Sequence, residues 1–439
     1  MEIKYHYPFI RQIKDFYRYQ AQGNIFLEVD INFRRIDLNK INSAIRKLHQ
    51  KYTLLNCRFI LENDIIYLKE LPQNNIDYFR TLPEESETKN PNEYFHPIRI
   101  ENQSLSIYDA PLMYFHIFRH KEMLIFKIFA HHMICDANGL QKIKNDLIDY
   151  YGGAEVTEVF DFGQYAVKRN SKLFKTLESD QKYWINILKE YDGTIIKDID
   201  YECFNDLNYD DKIKSLVKDK YYTPVDDYSK KGQSYFHAFT IQNFAEIQNI
   251  IKKKGISWVS IFMHVFAKTI YPYQGKSLIG LLVSGKNDIF SINSIGEYSG
   301  ECFYPAADYP LSTDEIIKTA KNFMTLSKHL VYNYALLKWD EEKFFRKICK
   351  SFINLSVIDF NVHEEEKINT FENIDLIFLE LEPLFFLSKS DGSVYVNWRF
   401  NTSVTSTEQM KQIADDFSNT FNECSKTICQ ENIMIDEKV

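Results

Sequence analysis

The feature that most constrains this chain is that strand-like and helix-like patterns alternate in both halves of a sequence too long for one core. Residues 24–33 alternate apolar and polar side chains, which is typical of a strand, and an amphipathic helical pattern follows over 38–52. The same order returns at 235–241 and 243–254. The chain has 439 residues, whereas a single core stops growing at roughly 250–300 residues. The sequence therefore predicts a mixed α/β (α+β) protein with two lobes.

The composition excludes several classes of function. The net charge is -8, and no basic stripe of the kind that nucleic-acid-binding proteins carry is present. The seven cysteines are scattered without a C-x-x-C pair, so neither a zinc site nor a disulfide scaffold is predicted. No apolar run approaches the ~20 residues that span a bilayer, and residues 1–7 are not signal-like. We therefore expect a cytoplasmic protein without a membrane span or a nucleic-acid partner.

The string with the most chemical content is HHMICDANG at residues 131–139. An apolar strand pattern ends directly before it, and a helical pattern begins near residue 138. Because neighbouring side chains of an extended segment point to opposite faces, we expect His131 and His132 to have different roles. An imidazole takes a proton from an amine or hydroxyl near neutral pH, which contributes roughly 10²–10⁴-fold in rate. The pattern therefore indicates a general base, although two satisfied histidines and a helix-capping Asp136 fit the residues equally well.

Two other interpretations of the motif are weaker. Paired histidines also bind metals, but no nearby His or Glu completes a zinc triad at ordinary spacing. Cys135 is interpreted as a small buried residue and not as a nucleophile. No metal and no tightly bound cofactor is predicted.

A series of segments, in the same order, resembles the condensation domains of nonribosomal peptide synthetases and their CoA-dependent acyltransferase relatives. The motif HH-x-x-x-D-G of that superfamily stands here as HHMICDA, with Ala137 at the usual glycine. The resemblance covers nearly the whole chain, as in a divergent member. The other similar segments are KYTLLNCRF (51–59), FGQYAV (162–167), YW (183–184), LVSGK (282–286), IGEYSGECFYP (295–305) and the late strand pattern at 391–401.

The resemblance implies a fold of two chloramphenicol-acetyltransferase-like lobes in a V, with an active-site tunnel between them. The lobes would comprise residues 1–175, which carry the motif, and residues 176–439. Donor and acceptor would enter the tunnel from opposite faces. We expect a monomer, because both lobes lie in one chain.

The resemblance also implies roles for individual residues. His132 would be the catalytic base or proton relay, His131 mainly structural, and Asp136 a structural residue paired with an arginine. Because the family arginine falls at Asn56, we predict that Arg58, two residues further on, supports Asp136 instead.

A further prediction concerns Ser356, within residues 352–360. Its hydroxyl is predicted to donate a hydrogen bond to a developing oxyanion. A plain polar residue in a half-buried strand is the more ordinary interpretation.

The function implied is a stand-alone acyltransferase or condensation enzyme in specialised-metabolite biosynthesis. The donor would be an acyl-CoA or the acyl-phosphopantetheine of a carrier protein, and the acceptor a small-molecule amine or alcohol. Two alternatives remain. One is a catalytically inactive condensation-like module that docks carrier or partner proteins. The other is an epimerising relative, which uses the same histidine with a nearby carboxylate.

Overall fold

The computed structural model contains helices packed on β-sheets, which confirms the mixed α/β architecture. It describes residues 5–9, 12–13, 26–63, 65–70, 80–81, 112–120, 122–191, 200–217, 232–283, 286, 288–298, 300–329, 348–358 and 379–436.

The strands form three sheets with the orders β1-β4-β3, β2-β7-β6-β5 and β10-β9-β11-β12-β13-β8. They are β1 (Tyr5–His6), β2 (Phe26–Phe33), β3 (Cys57–Glu62), β4 (Ile65–Glu70), β5 (Arg80–Thr81), β6 (Met113–His120), β7 (Met123–His131), β8 (Gly232–Thr240), β9 (Leu278–Val283), β10 (Gly300–Pro305), β11 (Cys349–Ile358), β12 (Leu384–Ser388) and β13 (Ser393–Asn401).

Most of the longer α-helices of the described residues have one buried apolar face, as expected of helices packed on sheets, whereas the helix at 258–274 is largely buried. They are α1 (Leu38–Lys51), α2 (Ala137–Tyr151), α3 (Phe162–Leu188), α4 (Tyr201–Asp206), α5 (Tyr209–Val217), α6 (Phe244–Lys254), α7 (Trp258–Gln274), α8 (Ile289–Asn293), α9 (Thr313–Leu326) and α10 (Thr407–Asp436). None of these helices is long and apolar enough to cross a membrane.

The N-terminal half is built on the four-stranded sheet. Its edge strand β2 pairs with β7 in antiparallel register over the whole length of β2, so that Phe26 lies opposite His131. Helices α1 and α2 pack on each other beside this sheet. Asp37 caps α1 as predicted, because its carboxylate accepts from the backbone N–H groups of Asn39 and Lys40. The end of β7 is thereby fixed relative to the helices around it.

The C-terminal half is built on the six-stranded sheet, in which β11 runs parallel to β9 and β12. One face packs on α7 and α10. The rings of Trp398 and Phe417 lie 5.6 Å apart between centroids, and those of Phe262 and Phe385 lie 5.4 Å apart. Because side chains of a strand alternate, the neighbouring Asn397 points to the opposite face of the sheet.

Helix α7 contains Pro272 and continues past it to Gln274, because a proline lacks only one backbone donor. The final helix is capped by Ser406, whose hydroxyl accepts from Gln409 N. The polar stretch at 191–234 contains helices α4 and α5. The predicted division at residue 175 stays a prediction, and α3 continues through that position.

Candidate active site

The histidine motif forms a tight loop between β7 and α2. His131 is the last residue of β7, a turn follows, and α2 begins at Ala137. Asp136 caps this helix, since its carboxylate accepts from Gly139 N at 2.6 Å. Among the described non-glycine residues only Asn63 and Asn243 have positive φ. The backbone at Ala137 therefore does not require the glycine that is usual at this position in the family.

His131 is a buried, neutral histidine. Its relative exposure is 1%, and its Nδ1 accepts a hydrogen bond from Met133 N at 3.1 Å. Burial, helped by the neighbouring His132, lowers the pKa of His131 to about 3. An Nδ1 that accepts places the ring proton on Nε2. These contacts agree with the structural role that the resemblance implies.

His132 has a different environment. Its side chain is 26% exposed, and its Nδ1 lies 2.6 Å from Oε2 of Glu297, whose side chain is only 1% exposed. Two lone pairs repel each other at this separation, so a proton must lie between the two atoms. With that proton on or near Nδ1, the lone pair of the imidazole is on Nε2.

Asp136 forms a second buried contact in the same loop. Its Oδ1 lies 3.1 Å from Nζ of Lys286, and about a tenth of each side chain is exposed. Burial raises the pKa of Asp136, Lys286 acts against that rise, and the nearby Glu297 adds to it. The carboxylate of Asp136 in the loop therefore lies close to one ammonium group, Lys286, and to a second carboxylate, Glu297.

The predicted support of Asp136 by Arg58 is wrong. In the described part of the chain, Asp136 pairs with Lys286, whereas Arg58 lies on β3 opposite Lys69 of β4. Lys286, from a distant part of the sequence, occupies the position beside the Asp136 carboxylate. Asn56, at the position of the family arginine, is buried. Its Nδ2 donates a hydrogen bond to His49 O at 2.9 Å.

Lys286 and Glu297 both come from the connection between β9 and β10, in the C-terminal half. The backbone of this connection contacts the motif directly, since Asp136 N donates to Gly296 O at 3.2 Å. A Cβ on Gly139 would lie 3.1 Å from Asp136 Oδ1 and 3.7 Å from Ile295 Cα. A side chain at Gly139 would therefore crowd the Asp136 carboxylate of the motif loop, while the contact with Ile295 of the other half would be an ordinary one.

The other side of the motif loop is covered by the N-terminal segment and by the loop's own core residues. The buried Gln12 donates from Nε2 to Met133 O at 2.7 Å. Cys135 is fully buried, its Sγ lies 3.1 Å from Asp136 O, and burial raises the pKa of its thiol well above the ordinary value. A thiol in this state is a poor nucleophile, in agreement with the sequence interpretation.

Ser356 lies on β11, opposite Phe386 of β12. Its side chain lies outside the described ones, so its role as a donor to an oxyanion stays a prediction. Among the described residues, no group of three or more His, Cys, Asp or Glu side chains is arranged to hold a metal ion.

Sequence reasoning missed Lys286 and Glu297 as members of the site. A signal for Lys286 was present, because LVSGK has a lysine where the similar family segment has an arginine. Glu297 lies in the segment IGEYSGECFYP at a position that the family pattern leaves unspecified. Nothing in the local sequence indicates that this glutamate contacts His132.

Both halves combine helices and sheets, and they contact each other at the histidine loop. This architecture is the chloramphenicol-acetyltransferase-like fold. The family model for the condensation domain matches residues 29–295, which is more than half of the chain. The chain belongs to the condensation domain family. This family catalyses acyl or peptidyl transfer. No curated protein matches the sequence.

Solved structures with different functions share this fold. The epimerization domain from the third module of tyrocidine synthetase B has a TM-score of 0.69 at 11% identity, covering 97% of this chain and 99% of its own. The X-domain in its complex with OxyB from teicoplanin biosynthesis has a TM-score of 0.67 at 12% identity, covering 97% and 94%. The starter condensation domain of rhizomide synthetase, solved with C8-CoA, has a TM-score of 0.66 at 10% identity, covering 96% and 95%. At these identities the likeness concerns the fold.

Proposed function

We propose that this protein is an acyltransferase that moves an acyl group from a thioester to an amine or hydroxyl acceptor, with His132 as general base. The observation that carries the proposal is the contact between His132 and Glu297. It involves one partly exposed imidazole, held at Nδ1 by a buried carboxylate, in a family that transfers acyl groups. The proposed setting is specialised-metabolite biosynthesis.

The proposed reaction needs few protein groups. The acceptor attacks the thioester carbonyl carbon while His132 Nε2 takes the acceptor's proton. The tetrahedral intermediate then expels the thiolate, which receives that proton from the imidazolium. Because a thiolate leaves easily, no covalent enzyme intermediate is required. Asp136 and Lys286 contribute by holding the loop that carries His132.

Two thioester donors fit this proposal. The starter condensation domain described above was solved with an acyl-CoA, and other condensation domains belong to synthetases. We propose either CoA or the phosphopantetheine of a carrier protein as the donor's thiol, because both present the same thioester chemistry.

The test is an assay with octanoyl-CoA, octanoyl-loaded carrier protein and mixed amine and alcohol acceptors, read by mass spectrometry. We expect His132→Ala to lower the rate by about 10²–10⁴-fold. The control is His237→Ala, since His237 lies on β8 and contacts Ser418 of α10 at 3.2 Å. Equal loss in both variants would remove the general-base role from His132.

The second candidate is a module that docks other proteins without catalysis. The X-domain structure favours it, because that domain was solved in a complex with OxyB and shares the fold. Against it, the motif of this chain keeps both histidines and a buried Asp136–Lys286 pair. A wild-type protein that binds a carrier protein but transfers no acyl group, with His132→Ala indistinguishable from it, would establish the docking function.

An epimerising function is the third candidate, because a carboxylate does lie beside His132. Exchange at an α-carbon by two bases requires groups on opposite sides of that carbon. Glu297 instead contacts Nδ1, on the edge of the ring away from Nε2, so the two residues act as one base. Loss of deuterium from the α-carbon of a carrier-bound aminoacyl group would overturn this argument.

A further inference from the structure

The geometry points to a more specific role for Glu297, and through it to the class of acceptor. We infer that Glu297 positions His132 to remove a proton from a hydroxyl group, so that the acyl group is transferred to oxygen and the product is an ester. This inference rests on the proposed acyl transfer and adds to it both a positioning residue and a substrate class.

The first step of the argument is the state of the imidazole. Glu297 Oε2 lies 2.6 Å from His132 Nδ1, and the Nδ1 atom itself is buried. The exposed quarter of the side chain therefore consists of other ring atoms. A carboxylate at Nδ1 keeps Nε2 as the basic nitrogen and stabilises the imidazolium that forms when Nε2 takes a proton.

The second step is that Glu297 is fixed in place. Its side chain is almost fully buried. The next residue, Tyr298, is also buried, and its ring lies between two cations, with Lys286 Nζ at 5.5 Å and the Arg169 guanidinium carbon at 5.3 Å from its centroid. The preceding residue, Gly296, accepts the backbone hydrogen bond from Asp136. A carboxylate on such a rigid segment controls the orientation of its partner.

The third step compares the two histidines. His131 accepts a hydrogen bond at Nδ1 and its burial disfavours the charged ring. His132 has an anion at the same ring atom. Of two adjacent imidazoles in one loop, only His132 therefore has a partner that favours proton uptake.

The fourth step concerns the acceptor. A neutral amine attacks a thioester with its own lone pair and can lose a proton afterwards. A hydroxyl is a much weaker nucleophile, and its proton must leave as the oxygen attacks. Stabilisation of the imidazolium by Glu297 therefore lowers the barrier mainly for a hydroxyl, as in the carboxylate–histidine pairs that activate serine hydroxyls.

The proposed step balances in atoms and charge. A bond forms between the acceptor oxygen and the carbonyl carbon while the hydroxyl proton moves to His132 Nε2. The C–S bond then breaks, and the imidazolium returns the proton to the departing thiolate. The products are an ester and a free thiol, without an oxidant, a reductant or another co-reactant.

The test uses full-length wild type, Glu297→Gln and Glu297→Asp with matched acceptors of identical carbon skeleton, such as 2-phenylethanol and 2-phenylethylamine, within a panel of such pairs. Octanoyl-CoA and octanoyl-loaded carrier protein serve as donors. We expect Glu297→Gln to lower kcat for the alcohols by at least about 100-fold with little change in KM. Transfer to the amines should fall less than tenfold, and Glu297→Asp should recover part of the alcohol rate.

The control is Glu382→Gln, the same chemical change at another buried glutamate. Glu382 precedes β12 and lies 3.6 Å from Arg399 Nη1. We expect its ratio of alcohol to amine transfer to equal that of wild type. The ¹⁵N signals of His132, assigned in histidine-labelled protein by comparison with His132→Ala, should show protonated Nδ1 in wild type. They should change in Glu297→Gln and not in Glu382→Gln.

The outcomes separate this inference from the proposed function. Transfer by wild type to amines alone would overturn the hydroxyl acceptor, and an unchanged kcat in Glu297→Gln would overturn the positioning role. Either result leaves acyl transfer by His132 standing. If wild type transfers to no acceptor from either donor, the proposed function fails and the inference fails with it.

Discussion

The two halves of the molecule contribute different parts of the candidate site. The N-terminal half supplies the histidines, at the end of β7, and the first turn of α2. The C-terminal half supplies two charged groups, Lys286 and Glu297, from the connection between β9 and β10. Lys286 and Asp136 are 150 residues apart in the sequence. The recognisable motif therefore contains the proposed general base, while the charged groups that contact the motif come from the other half.

The halves also differ in how their charges are balanced. On the N-terminal side, the motif loop has a buried carboxylate and a neutral buried histidine. On the C-terminal side, a lysine and a glutamate reach across to that loop. A buried charge without its partner is costly, so we expect the contact between the halves to stabilise the motif loop.

Removal of Lys286 should have the largest effect on folding. Lys286→Met leaves Asp136 buried without its cation, and we expect the free energy of unfolding to fall by about 3–5 kcal/mol. In the double variant Asp136→Asn, Lys286→Met no charge is left unpaired, and asparagine can still accept from Gly139 N. Most of the stability should return.

The measurement for this pair is urea denaturation of both single variants and the double variant. Equal loss of stability in Lys286→Met and in the double variant would mean that the loss does not come from an unpaired Asp136 carboxylate.

The fold was predictable because its signals are local. Alternation and strand-like patterns identified β2, β8 and β13, and helical periodicity together with the Asp37 cap located α1.

The site was only half predictable, for a physical reason. Adjacent residues such as His131 and His132 reveal their relation in the sequence, since alternation separates their environments. The pairing of Asp136 with Lys286 depends on how two distant segments pack, and no periodicity encodes it. The family pattern has an arginine at the position of Asn56, and Arg58 was predicted as its substitute because it lies two residues further on. The structure instead brings in a cation from the other half.

A smaller effect should appear in the pH dependence of the free energy of unfolding, and it comes from the buried His131. His131 has a pKa of about 3 in the folded chain against an ordinary value of 6.5, so below pH 6.5 the unfolded chain takes up a proton that the folded chain does not. Stability from this residue is complete above pH 6.5 and falls by up to about 1.4 kcal/mol per pH unit as the pH drops towards 3. His131→Asn should abolish that part of the slope.

The measurement is the free energy of unfolding of wild type and His131→Asn between pH 7.5 and 5. The difference between them should narrow as the pH falls. His49, buried with a pKa of about 4, provides a comparison, because His49→Asn should act with the same sign over a narrower range. A difference that stays constant with pH would show that His131 titrates normally.

The smallest effect concerns two buried asparagines, one in each half. Within the described part of the chain, neither amide atom of Asn397 on β13 has a hydrogen-bond partner, and the residue is fully buried. Asn170 on α3 is equally buried but donates to Pro8 O at 2.9 Å and to Tyr209 Oη at 3.0 Å. An unpaired buried amide destabilises the folded state, whereas a paired one contributes to its stability.

We therefore expect opposite results from the same substitution. Asn397→Leu should raise the free energy of unfolding by about 1 kcal/mol, because leucine has the same branched heavy-atom skeleton and no polar atoms to desolvate. Asn170→Leu should lower it by about 1–3 kcal/mol, because the carbonyl of Pro8 and the hydroxyl of Tyr209 lose their partner. Urea denaturation of both variants measures the difference. If Asn397→Leu is destabilised as much as Asn170→Leu, then the amide of Asn397 is hydrogen-bonded in solution and the polar groups of the two halves are satisfied alike.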